Sequence, residues 1–204
     1  MRNGNRPASK MIISILALTA MTVMVSCGST GGETEETSVL LGKEGIIQSN
    51  IVESFAESYY DEEELQQSIL SQAAEYNQMN EDSIKVENVE VKEGTALVQM
   101  TYAKAEDYAS FNKAVFFVGE AQNAVENGYE LNVVLSGVKD SAETAGKADI
   151  LAMDGVTLLI TDISDAIILN GKALYVSENV TVSGNANTVR RSAEDDGLAY
   201  IIFK

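Results

Sequence analysis

Histidine and tryptophan are absent from the 204 residues, and cysteine and proline occur once each. Without histidine the chain has neither the commonest general base nor the Ser-His and Cys-His pairs of nucleophilic catalysis, and it loses the usual zinc ligand. A single cysteine excludes an internal disulfide and a thiolate metal cluster. Bases are scarce: 14 Lys and Arg stand against 31 Asp and Glu, for a net charge of −17. Three of those bases, Arg2, Arg6 and Lys10, precede Cys27, whereas every acid follows it. A body this acidic repels nucleic-acid phosphates and offers no basic stripe to offset the repulsion, so nucleic acid is not an expected partner. Cations and basic surfaces are compatible ones. No glycine-rich phosphate loop of the form GxGxxG or GxxxxGK[ST] occurs. With 45% hydrophobic and 22% charged residues, the composition is that of an ordinary globular protein.

The apolar content is concentrated once, at the start. Residues 1–10 (MRNGNRPASK) are basic, and residues 11–25 (MIISILALTAMTVMV) are apolar apart from Ser14, Thr19 and Thr22. The small pair Ser26-Cys27 follows. This order reads as a secretion signal over residues 1–26. As a helix at about 1.5 Å per residue the run reaches about 22 Å, short of the roughly 30 Å of hydrocarbon a span must cross.

Met24-Val25-Ser26-Cys27 resembles the lipobox of bacterial lipoproteins: an aliphatic residue, a small or β-branched one, a small one, then cysteine, with Met24 where leucine is usual. The resemblance implies transfer of a diacylglyceryl group to the Cys27 sulfur and cleavage before Cys27. It also implies a mature protein held by its lipid at the extracytoplasmic face of a bacterial membrane. Two acyl chains at about 0.8 kcal/mol per buried CH₂ hold a protein stably, where one holds it marginally. As a thioether, Cys27 is neither nucleophile nor metal ligand. Residues 28–38 (GSTGGETEETS) read as a flexible acidic tether, so 27–38 is expected to be lipidated cysteine plus linker. The alternatives are an uncleaved signal anchor and an ordinary secretory signal with an incidental cysteine.

Residues 39–204 are expected to form one α+β domain, with two amphipathic helices packed on antiparallel hairpins and a β-rich C-terminal half. Val39 to Val52 reads as a hairpin around Gly42 to Gly45. YYDEEELQQSILSQAAEYNQMN places Leu65, Ile69, Ala73 and Tyr76 at helical spacing. Asp61 followed by Glu64 gives a capping-box start, and the acidic first turn suits the helix dipole. SIKVENVEVKEGTALVQMTYA alternates as two strands about Glu93-Gly94, with a phase shift near Asn88 that marks a bulge. AEDYASFNKAVFFVGEAQNAVENG carries Tyr108, Phe111, Val115, Val118, Gln122 and Val125 on one stripe, predicting a second helix that stops at Gly128. Beyond it VTLLI, AIIL, KALYV, NVTV and LAYIIF read as strands, and Asn170-Gly171 is the strongest hairpin signal in the chain. KDSAETAGKAD (139–149) is the one place where a sub-boundary fits. IVESFAESYYDEEEL to AEYN, with ALYVSENVTVSG, is similar to small surface lipoproteins of Gram-positive bacteria; that resemblance implies a surface location and carries no site residue.

Constellations that carry chemistry are few. Ser110-Phe-Asn-Lys113 and Ser136-Gly-Val-Lys139 match S-x-x-K, in which a lysine one helical turn on draws the serine proton. With 18 Ser and 10 Lys, roughly one such match arises by chance, and no S-D-N or K-T-G accompanies them. Calcium needs six to eight oxygens around one point; Glu194-Asp195-Asp196-Gly197, Asp162 with Asp165, and Asp61 to Glu64 supply carboxylates without the D-x-[DN]-x-[DN]-G loop. Turn and helix-start roles account for all three. Glu53, Glu57 and Asp61 are the carboxylates a glycosidase pair would draw on. Tyr59-Tyr60 is the most suggestive aromatic pair, either as core and cap or as a ligand platform.

These readings give no cofactor, no metal and no catalytic residue, and Cys27 as the site of lipidation. The expected function is a membrane-anchored lipoprotein with a non-enzymatic binding or envelope-accessory role, its partner an envelope protein or ligand of unspecified kind. An envelope hydrolase using carboxylates or a Ser-Lys pair is the second reading. A transporter-associated substrate-binding lipoprotein is the third.

Overall fold

The computed structural model describes residues 36–204. The expected signal peptide and Cys27 lie outside the described residues. Strand β1 (Ser38–Leu41) turns through a short 3₁₀ segment, Lys43–Gly45, into β2 (Ile47–Ser54), and the two pair antiparallel from Leu41↔Ile47 to Ser38↔Asn50. Helix α1 (Glu62–Met79) follows; Asp61 caps it, its side chain accepting from the Glu64 N–H at 2.9 Å. Ile69 and Ala73 are its buried residues, and they join the same cluster as Ile84 and Val98. Strands β3 (Ile84–Lys92) and β4 (Thr95–Tyr102) form the second hairpin, with the register slipping between Val86 and Asn88 where the alternation changes phase.

The stretch expected to be a single second helix is three elements: α2 (Ala105–Asn112), β5 (Phe116–Gly119) and α3 (Ala121–Glu126). Two features break the helix. Lys113 takes a left-handed conformation, φ 54°, and ends α2. Phe116 and Phe117 then point to opposite sides of a sheet: Phe116 sits in one core cluster and Phe117 packs on the other, which a helix stripe cannot do. Gly128 (φ 89°) does lie just past the end of α3.

Strands β6 (Leu135–Gly137) and β7 (Thr144–Ala145) pair with each other, and α4 (Lys147–Ala152) follows as a helix within the β-rich C-terminal half. After it come β8 (Thr157–Thr161), β9 (Ala166–Ile168), β10 (Ala173–Val176), β11 (Val180–Ser183), β12 (Thr188–Arg191) and β13 (Ala199–Phe203). Asn170-Gly171 does not make the expected hairpin. Strand β9 pairs with β1, in parallel, and with β12, whereas β10 pairs with β13 and β6. The turn therefore carries the chain from one sheet to the other. Asp196-Gly197, between β12 and β13, does the same, while Ser183-Gly184 joins the true hairpin of β11 and β12.

The result is α+β and rich in strand. A seven-stranded sheet in the order β11-β12-β9-β1-β2-β4-β3 faces a six-stranded one in the order β5-β8-β13-β10-β6-β7. The main core lies between them, built from Val39, Ile47, Met100 and Ile167 on the first sheet and Leu159, Ile201 and Phe203 on the second. The second sheet is covered on its other face as well, where Leu158, Ile160 and Ile202 meet Ala121, Ala124, Leu131 and Ile150. Its strands are thus buried on both sides and read as continuous apolar runs, while β4 of the first sheet alternates buried and half-buried. Among the described residues no helix is long and apolar enough to cross a membrane.

Candidate functional site

Strand β2 outruns β1 by four residues, Ile51 to Ser54, which pair with β4 alone. The chain then leaves the sheet, and its first turn is tied to the β3–β4 hairpin: the Phe55 N–H donates to the Gly94 carbonyl at 2.7 Å. The Tyr60 N–H donates to the Glu57 carbonyl at 3.1 Å, and Asp61 starts α1. Residues 55–60 are therefore held at both ends. Their aromatic rings gather instead of dispersing. Phe55 and Tyr60 stack with centroids 4.7 Å apart, and Tyr59 meets Tyr60 edge-on at 4.8 Å.

This cluster is on the surface: Tyr59 is 72% exposed and Tyr60 39%. Neither tyrosine enters the core, so the core half of the core-and-cap reading fails for the pair. The adjoining rings make this loop a candidate contact surface. The Tyr59 hydroxyl is pushed above its usual range, chiefly by its hydrogen bond to Tyr60 and then by the Tyr60 charge, slight burial and the neighbouring Glu57. Glu62, one residue into α1, turns back to accept the Val91 N–H of β3 at 3.2 Å.

The other sequence candidates are spread over the fold and occupied locally. Ser110 and Lys113 are not a helical pair, since Lys113 is the left-handed cap of α2; Ser136 lies in β6 and Lys139 in the turn after it. Asp162 accepts the Val115 N–H at 2.9 Å and so fixes the start of β5. Asp165 is half-buried, and burial raises its pKa against the pull of Arg190, with Glu36 adding to the rise. Asp195 accepts from the Gly197 N–H at 2.7 Å and from Asn179 at 3.1 Å. A shallow depression of about 360 Å³ lies there, lined by Glu178, Asn179, Ser192, Glu194 and Asp195. Among the described residues no group of three or more acidic or cysteine side chains is placed to hold a metal. Glu53 is exposed on β2 and Glu57 is exposed in the aromatic loop, while Asp61 is spent on its cap.

Two buried polar groups escape a reading of the sequence. Asp107, 3% exposed in α2, accepts from the Tyr76 hydroxyl of α1 at 3.1 Å and so ties the two helices. Tyr102 is fully buried in β4, and its hydroxyl accepts from Asn112 at 3.3 Å; burial pushes its pKa up, with Asn112 and Ser49 pulling down. In sequence Asp107 looks like any first-turn acid, and only the partner 31 residues away distinguishes it. No known protein family, curated protein or solved structure matches the chain.

Proposed function

We propose that the protein is a lipid-anchored extracytoplasmic lipoprotein of a bacterial envelope whose acidic domain binds a partner and performs no chemistry of its own. Its signal peptide is residues 1–26, Cys27 carries the lipid, and the acidic stretch after it links it to a domain whose helices rest on its hairpins, the expected tether ending before Thr37 because Thr37 and Ser38 are already bonded into the first sheet. The observation that carries the binding role is the Phe55–Tyr59–Tyr60 cluster, its two tyrosines exposed and Phe55 half-buried, which the turn at Gly94 and the cap at Asp61 hold in place. A recognition surface gains from this, because aromatic side chains supply large contact area at low conformational cost and are enriched where proteins meet. The membrane half of the reading rests on Met24-Val25-Ser26-Cys27 at the end of its apolar run. Fractionation of cells making Cys27→Ala tests it. The variant is expected as released protein or uncleaved precursor, without the lipid mass on residue 27; processing and membrane retention like wild type would sink the proposal.

A further inference from the structure

We propose that the aromatic patch docks a basic segment of a partner protein, one that presents arginine or lysine side chains to the faces of Tyr59 and Tyr60. This rests on the binding role just proposed and names the chemistry of the partner. The rings carry negative potential on their faces, which attracts a guanidinium or ammonium group. The charges beside them have the same sign. Glu57 lies close enough to Tyr59 to act on its hydroxyl, Asp61 adjoins Tyr60, and Glu62, Glu63 and Glu64 follow in the exposed first turn of α1. No base occurs in the sequence between Lys43 and Lys85. Lys92, at the end of β3, has an interaction of its own. The ring quadrupoles and the carboxylates thus favour one kind of visitor, and a neutral ligand would gain nothing from the second.

The place of the patch in the fold narrows the visitor further. Thr37 is bonded to the backbone of Val52, its hydroxyl donating to the carbonyl at 3.1 Å and accepting from the N–H at 2.9 Å. Three residues on from Val52 the chain reaches Phe55. The patch therefore lies at the end of the first sheet where the chain joins the domain, the end from which a tether to Cys27 departs. Anionic headgroups of a lipid surface met there are repelled by these carboxylates, and zwitterionic ones gain nothing from them. A basic polypeptide is the match.

The test is calorimetric titration of the full-length protein in neutral detergent with hexa-arginine, with a neutral hexapeptide and with an N-acetylglucosamine oligomer. Hexa-arginine is expected to bind, more weakly as salt rises, and the other two are not. Tyr59→Ala should weaken hexa-arginine binding about fivefold, as loss of one exposed cation–π contact would. Tyr59→Phe, which keeps the ring, should bind as wild type does, and the exposure of Tyr59 leaves both variants folded. Equal affinity of wild type and Tyr59→Ala would reduce the attraction to net charge and overturn the proposal, as would binding of the sugar oligomer or the neutral peptide through Tyr59. Either failure leaves the Cys27→Ala fractionation untouched, so the partner chemistry and the membrane anchor fail separately, and binding of the sugar oligomer or the neutral peptide through Tyr59 would keep the binding role while overturning the partner chemistry.

Discussion

A Cβ placed on Gly171 would lie 2.7 Å from the Lys204 carbonyl carbon and 2.8 Å from its oxygen. That contact follows from the crossing of the chain between sheets, because Lys172 and Lys204 exchange backbone hydrogen bonds at 2.8 and 3.0 Å beside it. Gly171→Ala must displace the C-terminal strand end, and a cost of about 1–3 kcal/mol is expected, read as a lower denaturant midpoint. Asp165 gives a prediction of opposite sign. Burial, the largest influence on it, raises its pKa, so the folded state holds the proton more tightly than the unfolded one. The stability linked to that proton is complete below the ordinary carboxylate range and is lost as pH rises through the raised value. Asp165→Asn should therefore unfold at a higher urea concentration than wild type at pH 7, with the difference closing below about pH 4. A lower midpoint at pH 7 would mean that the attraction of Arg190 outweighs burial.

Helix α2 stops because Lys113 adopts φ 54°, a conformation that costs an L-residue about 1–2 kcal/mol and glycine almost nothing. Lys113→Gly should stabilise the protein by about 0.5–1 kcal/mol once the larger unfolded-state freedom of glycine is counted, measured by denaturant unfolding. If activity ever depends on a Ser110–Lys113 pair, the same variant removes it. The residues around this stop also explain which elements could be read from sequence. The β1–β2 and β3–β4 hairpins, the bulge beside Asn88 and the Asp61 cap are set by neighbours in the chain, and local pattern recovers them. The Val115–Val118 segment is different, since an apolar run buried on both faces has neither helical nor strand periodicity, and the helix stripe through Tyr108 and Phe111 extends over it by coincidence. Asn170-Gly171 was misleading for a related reason. Turn chemistry specifies that the chain bends, but the partner of β9 is β1, well over a hundred residues away, and no local signal encodes that choice. The aromatic patch was half readable: Tyr59-Tyr60 stands out as a pair, whereas Phe55 joins it only because the chain folds back at Gly94.

At the scale of the whole molecule the dominant force left unbalanced is charge. The net charge of −17 is not offset by strong internal pairing where it is described: Glu36–Arg190 at 2.8 Å and Lys85–Glu87 at 2.7 Å are both exposed, and such pairs contribute about 0–1 kcal/mol. Self-repulsion of this kind opposes the compact state and supports solubility at the same time. Added salt acts on both effects, but unequally. It shortens the Debye length from about 30 Å at 0.01 M to about 3 Å at 1 M, which removes the many long-range repulsions before it weakens the few contacts at ion-pair distance. The melting temperature of the full-length protein in neutral detergent should therefore rise by about 2–4 °C between 10 mM and 0.5 M sodium chloride, the shift that about 1 kcal/mol produces in a chain of this size. Potassium chloride should give the same rise, since screening does not distinguish the two cations. A fall in melting temperature with salt would show that the exposed ion pairs outweigh the repulsion.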